Sequence, residues 1–142
     1  MALSDVVANF KQALEQVPGV KSVELPFPDV PKEEPECPFI FLNVGAVEIM
    51  ASNLSMLMYP IEVSYCHTRM PDDRRYEMPP EVWDMPQTIF NTLAEKVALM
   101  AGYYSFEVRD EARIGTGMYL DEEYVGCGIT VVPKEKEATP WA

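Results

Sequence analysis

Apolar residues at Val6, Val7, Phe10, Ala13, Leu14 and Val17 fall on one face at helical spacing. Ser4 offers an N-cap hydroxyl, Asp5 an acid at the positive end of the dipole, and Pro18-Gly19 a stop. The pattern predicts a helix over 4–17, then a short strand over 20–25 with Val23 and Leu25 on one side. The stretch 26–38 contains Pro26, Pro28, Pro31, Pro35 and Pro38 among acidic residues. Proline neither donates to a ladder nor continues a helix, so this stretch reads as a surface loop or arm. Phe39-Ile40-Phe41-Leu42 opens a strand over 39–48, apolar enough for burial on both faces.

Across 54–68, Ile61, Val63 and Tyr65 alternate with Glu62, Ser64 and Cys66, the period of a half-buried strand. Pro60 implies a bulge, an edge or a break there, and the two strands pair as an antiparallel hairpin. The charged and Pro-bearing stretch 69–80 reads as a loop. Asp84 with Gln87 makes a capping box, with Val82 and Trp83 stapled just before it. A helix then carries Ile89, Phe90, Leu93, Val97 and Met100 on one face and stops at Gly102. Strands over 103–110 and 124–132 close the pattern, the second with Val125, Cys127, Ile129 and Val131 on one face. Gly126 and Gly128 leave its other face bare, which suits a bulge or a close backbone approach. Between them 111–123 reads as a long loop with Gly115-Thr116-Gly117 at its tip. The order α-β-β-β-α-β-β implies an α+β fold: a mostly antiparallel sheet with two main helices. The expected organisation is one domain over 1–132 and a charged, mobile tail over 133–142.

A chain of 142 residues with 48% hydrophobic content fills one core, and its 23 acidic residues against 11 basic give a net charge of −12. Such a field repels phosphates, so sequence-specific nucleic-acid binding is disfavoured, though passage of nucleic acid through an acidic channel is not. No stretch nears the roughly 20 apolar residues of a membrane span, and the first helix is amphipathic rather than a secretory signal. Cys37, Cys66 and Cys127 lack CxxC spacing and read as free thiols in a reducing cytoplasm.

Candidate chemistry is sparse. His67 is the single histidine and follows Cys66 on a strand, where neighbours point to opposite faces, so the two do not grip one metal. Nucleophilic catalysis by a cysteine needs a base oriented by a third group, and one histidine does not furnish it. Asp72-Asp73-Arg74-Arg75 reads as a solvated turn, Asp121-Glu122-Glu123 lacks calcium-loop spacing, and Gly115-Thr116-Gly117 is no phosphate loop. The reading is therefore no enzyme, no catalytic residue, no cofactor and no metal.

Two features point to contacts. The chain has 9 methionines, including Met50, Met56, Met58, Met70, Met78 and Met118 away from obvious core positions. The loops 69–80 and 111–123 also carry aromatics among charges. Loops of this length in a compact domain are functional or disordered. The candidate subunit or partner contacts are Met70, Arg74, Arg75, Tyr76, Met78, Met118, Tyr119 and Tyr124.

An N-terminal helix ending at Val17-Pro18-Gly19-Val20 leads to a strand and a Pro-rich stretch. Then come Pro38-Phe39-Ile40-Phe41-Leu42, Tyr59-Pro60-Ile61-Glu62-Val63-Ser64-Tyr65, a central helix and two closing strands. This layout, from Leu3 to Val132, resembles the tail terminator (tail-completion, minor tail) proteins of long-tailed bacteriophages and prophages. The resemblance rests on order and length; the 26–38 arm is longer and more acidic than the family's. It implies a ring, commonly a hexamer, that caps the tail tube and docks the head connector. The implied partners are copies of the chain, tail tube and head-connector proteins. The implied location is the host cytoplasm during assembly and then the virion tail. The competing readings are a phage neck or head-closure adaptor, and a small-ligand-binding domain with a pocket lined by Tyr65, Trp83 or Tyr104.

Overall fold

A computed structural model of the chain describes residues 3–25, 34–44, 48–49, 57–58, 60–97 and 103–135. Helix α1 (Leu3–Leu14) buries Val7, Phe10, Ala13 and Leu14, the stripe set by its apolar spacing. It begins at Leu3, one residue before Ser4, whose side chain lies outside the described residues. Beyond Leu14 the chain tightens through Gln16 N–H to the Ala13 carbonyl (3.1 Å) and Val17 N–H to the Leu14 carbonyl (3.1 Å). Gly19 then turns it with φ of 83°, a conformation glycine adopts without steric cost.

The strands are β1 (Val23–Glu24), β2 (Phe39–Val44), β3 (Glu48–Ile49), β4 (Leu57–Met58), β5 (Ile61–Arg69), β6 (Tyr103–Tyr119) and β7 (Glu122–Glu135). Five form one sheet in the order β1-β2-β5-β7-β6, and β3 pairs with β4 in a separate ribbon. The fold is α+β with a mostly antiparallel sheet; only β1 and β2 run parallel. Parallel neighbours need a connection of about a dozen residues or more, which accounts for a long segment over 25–38. β1 is shorter than expected, and Leu25, placed with Val23 on one side, is 37% exposed while Val23 is buried.

The β2–β5 hairpin forms with Phe39 opposite Cys66 and Val44 opposite Ile61, and Pro60 stands outside β5. Phe39, Ile40 and Leu42 are buried, as the unbroken apolar run requires.

Helix α2 (Pro80–Val97) starts four residues earlier than the Asp84 box suggests. Proline fits the first helical turn because its missing N–H would have no partner there. Asp84 accordingly sits inside the helix, its carbonyl accepting from Thr88 Oγ1 (3.2 Å), while Gln87 Nε2 donates to Asn91 Oδ1 (2.8 Å). Val82, Met85, Ile89 and Leu93 form its buried stripe. They meet α1 and the sheet residues Ile40, Leu42, Val63, Tyr65, Ile129 and Val131 in the main core.

The largest departure from expectation is the stretch 111–123. It is not a loop: β6 continues to Tyr119, and Gly115 pairs with Gly126 inside the ladder rather than forming a tip. The turn is Leu120-Asp121, with φ of 48° and 67°. Positive φ at both central residues is what a two-residue hairpin turn requires. The turn was hidden because Leu-Asp stands where Asn-Gly would have announced it. At the other end β7 runs on to Glu135, with Phe106 opposite Pro133 and Ser105 opposite Lys134. Residues 136–142, including Trp141, lie outside the described residues.

Candidate functional site

The helices cover one face of the sheet. On the other, Phe39, Cys66 and Tyr124 form a second buried cluster, with Cys37, Phe41 and Tyr119 packed against it. Tyr119 lies 4.8 Å from Phe41 and 5.2 Å from Phe39 between ring centroids, and Tyr124 meets Phe39 edge-on at 5.1 Å and 88°. In sheet order β6 is three strands from β2. On a flat sheet three spacings are roughly 14 Å, so the end of the β6–β7 hairpin must fold over this outer face. Glycines make the fold possible. A Cβ on Gly126 would overlap the Tyr65 carbonyl oxygen, and the β5 ladder shifts register beside it, between Cys66 and Thr68.

A polar clamp holds the folded end. Tyr124 O–H donates to Glu34 Oε1 (2.6 Å), and Arg69 contacts Glu34 (3.3 Å) and Glu122 (2.5 Å). Arg74 reaches Glu123 (2.5 Å), whose backbone carbonyl accepts from Met70 N–H (2.9 Å). The hydrogen bond from Arg74, more than its charge, holds the Glu123 carboxyl below its usual range. Burial, then the bond to Glu34, pushes the Tyr124 hydroxyl up. Arg69 and Arg74 are exposed, so these pairs contribute more to registration than to stability. They engage Glu122 and Glu123 of the acidic run, where Thr116 also hydrogen-bonds the Glu123 carboxyl, and Arg74 of the mixed run, in which Arg75 N–H donates to Asp73 Oδ1 (3.0 Å).

Of the eight contact candidates, Met70, Arg74, Met118, Tyr119 and Tyr124 come together at the β6–β7 hairpin end, but not all are free. Tyr124 is 1% exposed and internal, and Met78 packs against the main core. Tyr119 and Met70 are half-buried. Arg74 is tied to Glu123, whereas Arg75 is exposed. Tyr76 (41% exposed) and Met118 (60%) are the apolar candidates that face outward. Leu120 (50%) and Trp83 (59%) join them although neither was a candidate. A helix read from Pro80 would have placed Trp83 off the stripe of Val82, Met85, Ile89 and Leu93. Met50 and Met56 lie outside the described residues, and so does the side chain of Met58.

Under the folded hairpin lies a groove of about 120 Å³, lined among others by Phe41, Ser64, Cys66, Arg113, Thr116 and Gly117. Small-molecule pockets run to roughly 300–1,000 Å³, so this one is sized for a single side chain. Its lining includes Tyr65 but not Trp83, and the Tyr104 side chain lies outside the described residues. His67 Nδ1 shares a hydrogen bond with the Tyr65 hydroxyl (3.0 Å). Among the described residues no three His, Cys, Asp or Glu gather to hold a metal. All three cysteines are free; burial pushes the thiols of Cys66 and Cys127 up to about 12 and raises that of Cys37. Among the described residues no helix is long and apolar enough to cross a membrane. No protein-family model matches the chain, and no curated protein matches it.

Proposed function

We propose that this chain is a structural assembly subunit of the tail-terminator type, forming a ring that caps a phage tail tube and joins it to the head connector. The observation that carries the reading is the convergence of residues 70–79 and the β6–β7 turn at one end, with Tyr76, Met118 and Leu120 exposed there. Exposed aromatics and methionines on an ordered platform are the composition of a contact surface. The sheet adds a second feature: β6 is an edge strand of 17 residues, and among the described residues no strand pairs with its outer side. Such an edge offers backbone groups to a neighbour. A net charge of −12 suits a ring that DNA crosses without adhering.

The test is mass in solution, by light scattering, for the chain alone and with tail tube protein. The expected result is a closed oligomer, six copies by the resemblance, that binds tube ends. Monomeric behaviour at every concentration, with tube protein present, would refute it. Binding to the portal side in place of the tube would make it a neck adaptor.

A further inference from the structure

Arg113 differs from the other arginines of the folded hairpin's surroundings. Arg69 and Arg74 are each neutralised by glutamates, whereas the recorded partner of the Arg113 guanidinium is the Thr130 hydroxyl, at 3.4 Å. It lies across the bare Cα of Gly128, where an added Cβ would come within 3.3 Å of Nη2. Among the described residues no carboxylate stands within ion-pair distance of it, in a chain with 23 acidic residues. The groove beside it adds the hydroxyl-bearing residues Ser64 and Thr116, the latter bonded to the Glu123 carboxyl, and aromatic residues, Phe41 and Tyr124 among them.

We infer that this groove seats an aspartate or glutamate side chain from a second copy of the chain. Three observations select that occupant. The volume of about 120 Å³ admits one side chain and not a metabolite. The chemistry inside is a guanidinium fork beside the Ser64 hydroxyl, a set that recognises a carboxylate. Copies carrying −12 each repel, which favours an interface that brings opposite charges together. Surplus carboxylates on one copy and an unclaimed arginine in a concave site on the next meet that condition in a head-to-tail arrangement, the kind that closes into rings. The inference rests on the assembly reading and specifies its chemistry.

The experiment compares the wild-type chain with Arg113→Glu, Arg113→Lys and Thr116→Glu by light scattering over a concentration series. Circular dichroism checks that each variant is folded. Arg113 and Thr116 are both exposed, so the substitutions leave the core intact. Arg113→Glu is expected to run as a single chain. Arg113→Lys is expected to assemble with an apparent Kd raised roughly tenfold, since lysine keeps the charge without the fork. Thr116→Glu is expected to lose assembly as well, by supplying the carboxylate within its own chain. Assembly of folded Arg113→Glu at wild-type concentrations would overturn the inference and leave the assembly reading standing. If Arg113→Glu assembled normally but lost tube protein, the occupant would come from another protein, and the second-copy claim would fall. A wild-type chain that never assembles would remove both.

Discussion

On the helix side of the sheet, Ile40, Leu42, Val63, Ile129 and Val131 meet aliphatic side chains from α1 and α2. On the opposite side, Phe39, Phe41 and Cys66 meet the chain's own hairpin end through Tyr119 and Tyr124. The first face is closed by elements whose apolar stripes have no alternative use. The second is closed by a few rings and by ion pairs exposed to solvent, with a groove left between them. The difference separates what folds the domain from what the domain can present. A large aliphatic interface specifies stability, while an aromatic lid on glycine hinges positions exposed Met118 and Leu120.

The largest effect is expected at Gly126, on the outer face of β7. Gly126→Ala drives a Cβ into the Tyr65 carbonyl, a backbone atom that cannot rotate away. The expected loss is at least about 4 kcal/mol, the exceptional range for one substitution, read as a collapsed denaturant midpoint. Next, Leu93→Ala on the helix face should cost about 3 kcal/mol with cooperative global unfolding. Tyr119→Ala on the outer face should cost about 1–2 kcal/mol, from two lost ring contacts, and should speed hydrogen exchange only at the hairpin end. Equal losses from these two variants, both global, would erase the distinction between the faces.

Tyr124→Phe keeps the ring against Phe39 and removes the hydroxyl that Glu34 accepts from. About 1 kcal/mol is expected, measured by urea unfolding. The smallest effect at neutral pH concerns the thiols. Cys66 and Cys127, raised to about 12 from an ordinary 9.0, favour the neutral form in the fold. Their contribution is therefore complete below pH 9.0 and lost as pH rises from there toward 12. At pH about 8 a thiol reagent should modify half-buried Cys37 first and reach the other two only on unfolding. A rate for Cys66 equal to that of Cys37 would show that the outer lid opens freely.

Much of the helix side was legible in the sequence because its signals are local. The stripe from Val7 to Leu14 and the alternation from Ile61 to Tyr65 each report their own surroundings. The outer face was not, because its closure is non-local. Nothing near Tyr119 indicates Phe41, 78 positions earlier by residue number, as its partner. Gly115-Thr116-Gly117 has loop composition, and only pairing with the strand across from it makes it a strand. Asp84-Gln87 has the form of a cap, yet Val82, one of the most buried residues, requires the helix to begin earlier. Two loops were expected to carry the contact candidates, and one of them is a hairpin.

In the proposed function the hairpin end and the neighbouring 70–79 segment form the contact surface of an assembling subunit. Hydrogen exchange followed by mass spectrometry, on dilute and on concentrated protein, tests it most directly. The expected result is concentration-dependent protection over 70–79 and 113–122, with α1 unchanged. Protection confined to α1 and α2, or none at any concentration, would contradict it.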